Sequence, residues 1–165
     1  HDENPIIFVE LSSLYGARGE VPDEWYDVPF GSSAVKRKGD YITIIAYSKM
    51  VGVALAAAEA IAADTGRESE VVDLRTLRPM DTKTVLDSVK KTGRAVVVEE
   101  RWKTGGFAAE IASIVQEVAF DYLDGPVVRV GGIDAPTPYA GQLEAAVFPD
   151  VDRVVEAIEE NFALR

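Results

Sequence analysis

Residues 70–81, EVVDLRTLRPMD, place a buried-strand signature, a charged break and a helix start in direct succession. Val71, Val72 and Leu74 form a β-branched and aliphatic run too short for a helix, bounded by charge and then by Pro79, which reads as a strand inside a sheet. Arg75 and Arg78 fall in the loop that leaves this strand. Asp81 can cap the helix that follows, because its side chain accepts from the free N–H groups of a first turn. A strand that carries charge at its carboxyl end and feeds straight into a helix is one unit of an α/β sheet. Ligands and partners of such sheets usually meet them at that end.

The same unit recurs from Tyr41 onward. Residues 42–47 read as a strand, with Ser48 placed to cap the next helix. Residues 50–64 read as an alanine-rich helix with Val51, Leu55, Ala58 and Ile61 on one side, ended by Gly66. After Asp81, Val85, Leu86 and Val89 fall at helical spacing, and residues 95–99 form a third apolar strand. Residues 106–123 read as the longest helix, with Phe107, Ile111, Ile114, Val115, Val118 and Tyr122 tracing one apolar face. Residues 127–130 give a fourth strand. Asp150 opens a last helix in which Val151, Val154, Val155, Ile158 and Phe162 recur every three or four positions. This alternation implies an α/β fold: three layers, a mostly parallel sheet with helices on both faces.

The first part of the chain does not fit that repeat. Residues 5–11, PIIFVEL, read as a strand apolar on both faces, which normally sits inside a covered sheet, yet nothing close behind can pair with it. Residues 12–40 are rich in Gly, Pro and charge. The expected organisation is therefore 1–11 as the last strand of a truncated upstream domain, 12–40 as a linker, and 41–165 as the folded domain. An edge strand of the same domain is the alternative reading of 5–11.

Twenty-eight acidic residues against 17 basic give a net charge of -11. That balance argues against nucleic acid or an anionic membrane as partner, since phosphate binding needs a basic face. There is no cysteine and the one histidine is His1, which excludes thiolate chemistry and makes a histidine triad within this piece an unsuitable reading. No apolar run reaches the roughly 20 residues that a membrane helix needs, and no signal peptide is visible; a cytoplasmic location is expected.

A search for self-sufficient chemistry finds little. Gly105–Gly106 at a helix start can receive an anion through backbone N–H groups or can simply make a turn. Glu99, Glu100 and Arg101 end the third strand near Arg75 and Arg78. Consecutive strand residues point to opposite faces, so Glu99 and Glu100 make a poor acid–base pair. Salt bridges among these five charges, or to a neighbouring chain, are expected instead. Trp102 and Phe107 suit either an interface or the core. Residues 131–140, GGIDAPTPYA, form a long loop suited to docking another subunit or a ligand. The residues alone give an α/β assembly domain.

The blocks FVELSSLYG, VVDLRTLRPMDTKTVLDSVKKTGRAVVVEE, GGFAAEI, AFDYLDGPVVRV and DAPTPYA, in that order, resemble the β subunit of the thiamine-diphosphate-dependent E1 component of 2-oxo acid dehydrogenase complexes. The resemblance covers the carboxyl half of such a subunit: the last strand of the pyrimidine-binding domain and the transketolase-type C-terminal domain. It implies no catalytic and no cofactor-binding residue in this chain, because the family's catalytic glutamate and histidine lie in the other half and the α subunit holds the diphosphate and Mg2+. It implies Asp2 and Asn4 of DENP as part of a structural K+ site whose other ligands lie upstream. Asp124 of YLDGP and the terminal carboxylate, here Arg165, are implied as contacts for the E2 peripheral subunit-binding domain. The implied partners are E1 α, a second β subunit and E2. The parent enzyme is expected to decarboxylate pyruvate oxidatively and pass the acyl group to lipoyl-E2. VEERW resembles the pyruvate branch, and TGGFAAEI is also similar to the branched-chain and acetoin branches. Transketolases and deoxyxylulose-phosphate synthases carry the same domain, and a non-catalytic oligomerisation module is the reading from another class.

Overall fold

The computed structural model describes residues 3–162. Five strands make one sheet: β1 (Ala34–Arg37), β2 (Thr43–Ala46), β3 (Glu70–Asp73), β4 (Ala95–Trp102) and β5 (Val128–Gly132), in the order β1-β3-β2-β4-β5. β1 runs antiparallel to β3, and every other pairing is parallel. The helices are α1 (Met50–Thr65), α2 (Thr82–Thr92), α3 (Phe107–Ala119), α4 (Gly141–Val147) and α5 (Val151–Phe162).

Central β2 explains why the apolar runs are continuous rather than alternating. A parallel strand between two helical layers is buried on both faces. Ile42, Ile44 and Ala46 join Met50, Ala57 and Ile61 of α1 and Val154 and Ile158 of α5 in one core. Ile45 joins Val85 and Val89 of α2 and Ile111 and Val115 of α3 in the other. Thr43 faces the second layer too, where its hydroxyl lies 2.8 Å from both Ser88 Oγ and Thr92 Oγ1. Buried hydroxyls are thereby paired with one another, as burial requires. On edge-side β3, Glu70 is buried and is paired with Ser88 and with the ammonium of Lys91.

The structure agrees with the expected three-layer, mostly parallel sheet, and it differs from the sequence reading in several places. Residues 34–37, read as linker, form the antiparallel edge strand β1, with Ala34 opposite Asp73 and Val35 opposite Val72. Residues 5–11 form no strand among the described residues, and Ile6, Ile7, Phe8 and Val9 are exposed. Ser48 does not cap α1: Lys49 stands at the N-cap with no side-chain bond, and Ser48 takes a positive φ of 56°. Asp81 does cap α2, accepting from the Thr84 N–H at 3.0 Å. The buried face of α3 is Ala108, Ile111, Val115 and Ala119; Val118 lies off that face and Tyr122 beyond the helix end, and both are exposed. Part of the expected long loop ends β5, and α4 follows it.

Candidate assembly and docking surfaces

The carboxyl ends of β2, β3 and β4 open into a cleft of about 1070 Å³ whose lining includes Tyr47, Arg78, Met80, Arg101, Gly106 and Phe107. The loops that leave β2 and β3 make sharp changes of direction here. Ser48 and Arg75 both adopt φ of 56°, a left-handed conformation that costs a residue with a Cβ about 1–2 kcal/mol. The Arg78–Pro79 peptide is cis.

Glu99 organises the far wall. It is fully buried within β4, and its Oε2 accepts from the Tyr47 hydroxyl at 3.0 Å and from the Ala108 N–H at 3.1 Å. A carboxylate at the N-terminus of α3 satisfies a free helix donor and suits the helix dipole. The chain's own side chain thus occupies the position offered to an anion at Gly105–Gly106. Glycine is required at Gly106 because a Cβ there would stand 2.0 Å from Glu99 Oε1 and 2.5 Å from the Trp102 carbonyl. Burial, and then the neighbouring Glu99 carboxylate, push the Tyr47 phenol well above the ordinary tyrosine range.

Of the five charges at this end, Glu99 points inward and Glu100 pairs with Lys49. Lys49 also lies over the Phe148 ring, 4.5 Å from its centroid. No ion pair among the described residues joins two of the five, so the first of the two expected uses, bridges among themselves, is not found. The two glutamates do not form a dyad. Trp102 is partly exposed, and Phe107 packs against the second core.

Asp124 lies at the opposite, amino end of the sheet, where Arg94 precedes β4. Its N–H donates to the Gly93 carbonyl at 2.7 Å, and its Oδ2 lies 3.3 Å from the Arg94 guanidinium. Its side chain stays 59% exposed, so one face remains open to a partner. Arg94 and Arg67 each lie 4.9 Å from the Tyr41 ring centroid. Phe162, at the end of α5, reaches the same surface: its ring stands 3.1 Å from where a Gly125 Cβ would be. Of the other expected site residues, Asn4 is exposed, while Asp2 and Arg165 lie outside the described residues. Sequence reasoning missed Arg94, Tyr41, Lys49 and the inward role of Glu99. Their partners are distant in the chain, and only the glycine pair after a buried Glu gave a local signal.

Against known proteins, the family described as transketolase, C-terminal domain, matches residues 31–154, and the chain belongs to it. Pyruvate dehydrogenase E1 component subunit beta of Rickettsia conorii is 46% identical over 159 residues, covering 96% of this chain and 48% of that protein. The mitochondrial subunit beta of Pisum sativum is 45% identical over 160 residues, covering 94% of this chain and 44% of that protein. That of Dictyostelium discoideum is 41% identical over the same number of residues, 160, covering 94% and 45%. The chain corresponds to the C-terminal portion of pyruvate dehydrogenase E1 subunit beta and spans about half the length of these curated relatives. A solved structure of a split gene transketolase, described as an inactive beta4 tetramer, superposes with a TM-score of 0.70 at 30% identity, covering 89% of this chain and 47% of that one.

Proposed function

We propose that this chain is the assembly domain of a 2-oxo acid dehydrogenase E1 β subunit, in which it holds β subunits together, supports E1 α and offers a dock to the E2 peripheral subunit-binding domain. The observation that carries this reading is identity of 46% across 96% of the chain to a pyruvate dehydrogenase E1 subunit beta. Pyruvate is the proposed substrate of the whole enzyme, which decarboxylates it oxidatively and transfers the acyl group to lipoyl-E2. The tetrameric state of the split gene transketolase supports an assembly role for the fold. Branched-chain and acetoin dehydrogenases remain outcomes of a substrate survey with the complete enzyme.

Thiamine diphosphate and Mg2+ are assigned to other parts of the enzyme on chemical grounds. Among the described residues no group of three His, Cys, Asp or Glu side chains is placed to hold a metal, and Glu99 fills the helix N-terminus beside the cleft. The Glu99 carboxylate at that helix N-terminus repels a diphosphate there, and no catalytic step is proposed for these residues. Asp2 and Asn4 are proposed to contribute to a K+ site completed by upstream residues. Asp124, with the chain's terminal carboxylate at Arg165, is proposed to meet basic groups of E2. Its exposed carboxylate, oriented by Arg94, supports that role. Among the described residues no helix is long and apolar enough to cross a membrane. A cytoplasmic location is proposed for a bacterial source, whereas the pea and Dictyostelium relatives are named as mitochondrial.

Calorimetric titration of thiamine diphosphate with Mg2+ into the folded chain tests the division of labour. No saturable heat and no pyruvate turnover are expected; saturable binding would contradict it.

A further inference from the structure

We infer that residues 31–33 clamp the loop 74–81 in the strained shape that forms one wall of the cleft, so that displacement of the segment leading into β1 is transmitted to the carboxyl end of the sheet. This clamp is a conformational device, independent of the E2 dock at Asp124.

The wall is the connection between β3 and α2, where Leu77, Arg78, Pro79 and Met80 line the cleft. Arg75 enters this loop with φ of 56°, a left-handed conformation that its Cβ opposes. Its side chain is exposed, so burial does not offset that strain. Backbone strain of this kind persists where surrounding structure over-determines it. Here residues 31–33 do so.

Ser33 grips both ends of the loop. Its N–H donates to Asp81 Oδ2 at 3.0 Å, and its hydroxyl donates to the Leu74 carbonyl at 3.4 Å. Gly31 grips the middle. Its N–H donates to Thr76 Oγ1 at 2.9 Å, and Thr76 Oγ1 donates to the Pro79 carbonyl at 2.9 Å, so one hydroxyl serves as acceptor and donor at once. Gly31 turns with φ of 72°, and a Cβ on it would stand 3.2 Å from Pro79 Cγ. Asp81 also accepts from the Thr84 N–H, which joins the clamp to the first turn of α2. β1 starts at the next residue, Ala34. Among the described residues neither apolar core includes one from 31–37; hydrogen bonds and edge pairing with β3 hold this stretch. A segment held in that way opens at lower cost than the buried parallel strands, and the loop it grips opens with it.

Limited trypsin digestion of the full chain, read by mass spectrometry, tests the clamp. Arg75–Thr76 is the bond that trypsin can cut in this loop, since proline follows Arg78. Each rate is divided by that of the same bond in the urea-unfolded chain, and circular dichroism melts verify that the variants are folded. The wild type is expected to be cut slowly, at a rate that hardly changes in low urea, the mark of local opening. Gly31→Ala, which strains the turn, and Thr76→Val, which removes the bridging hydroxyl, are each expected to raise the rate about 5-fold or more. Thr76→Ser keeps the hydroxyl and is expected to be cut like the wild type. The double variant, Gly31→Ala with Thr76→Val, is expected to match the faster single variant, because both break one clamp; independent effects would multiply to about 25-fold. Unchanged rates, effects that multiply, or a Thr76→Ser chain cut as fast as Thr76→Val would overturn the inference. So would a steep urea dependence, because the bond would then be reached only by global unfolding. None of these results touches Asp124 at the other end of the sheet, so the E2-docking part of the functional reading is tested separately.

Discussion

Replacing Gly106 by alanine puts a methyl group where Glu99 and the Trp102 carbonyl already sit. The new Cβ would lie 2.0 Å from Glu99 Oε1, 2.5 Å from Trp102 O and 2.7 Å from Glu99 Cδ. The carbonyl is backbone in β4 and cannot swing aside, so Glu99 must leave the N-terminus of α3. It then loses the bonds from the Tyr47 hydroxyl and the Ala108 N–H, each worth about 1 kcal/mol. Overpacking adds about 1–3 kcal/mol. The expected loss is about 4 kcal/mol, a large share of the 5–15 kcal/mol typical of a domain. At about 2–4 °C per kcal/mol for a chain of this size, Tm falls on the order of 10 °C. Gly105→Ala is the control: its Cβ meets nothing within 4 Å, and only the φ of 70° opposes it, at about 1–2 kcal/mol. Urea unfolding of both variants measures the difference. A Gly106→Ala chain no less stable than Gly105→Ala would refute the role given to Glu99.

Three further outcomes follow from the same geometry. Burial pushes the Asp81 carboxyl up, but bonds from Thr84 and Ser33 outweigh it and hold the group below its ordinary value. Its stabilisation is therefore present above the unfolded value, about 3.9, and lost as pH falls through the folded value; Asp81→Asn is expected to flatten the acid limb of stability against pH. The raised Tyr47 phenol has the opposite sign: its contribution is intact below the unfolded value, about 10, and is lost as pH rises beyond it. Tyr47→Phe is expected to shrink the alkaline loss of stability in urea titrations. Ile158, fully buried between α5 and α1, is expected to cost about 2–5 kcal/mol on truncation to alanine, read from the same unfolding curves.

What could be read from the sequence follows from the range of the forces involved. The buried parallel strands were legible because both of their faces are apolar, and Asp81 was legible because a cap acts over three residues. β1 was not: AVKR is short, charged and half exposed, and it is a strand only because β3 offers a free edge. α4 was hidden because GQLEAAV buries only Val147 and so shows no apolar stripe. The face of α3 was misjudged because Val118 and Tyr122 fit a helical apolar spacing, although Val118 lies off the buried Ala108–Ile111–Val115–Ala119 face and Tyr122 lies past the helix end. At the candidate sites, Arg75, Arg78 and Asp124 could be placed by their loops. Their surroundings could not, because Lys49 meets Glu100, Tyr47 meets Glu99 and Arg94 meets Asp124 only after the sheet has formed.

The E2-docking role is tested most directly by titrating the E2 peripheral subunit-binding domain into the chain by calorimetry, at low and raised salt, with Asp124→Ala alongside. Asp124 has a side chain 59% exposed and, among the described residues, is in an ion pair only with Arg94, so the substitution is expected to change stability by less than about 1 kcal/mol and leave a folded chain for comparison. Saturable binding, weakened at least about 10-fold by salt and by Asp124→Ala, is the expected result. A folded chain that shows no binding at low salt, or binding that Asp124→Ala leaves unchanged, would contradict it.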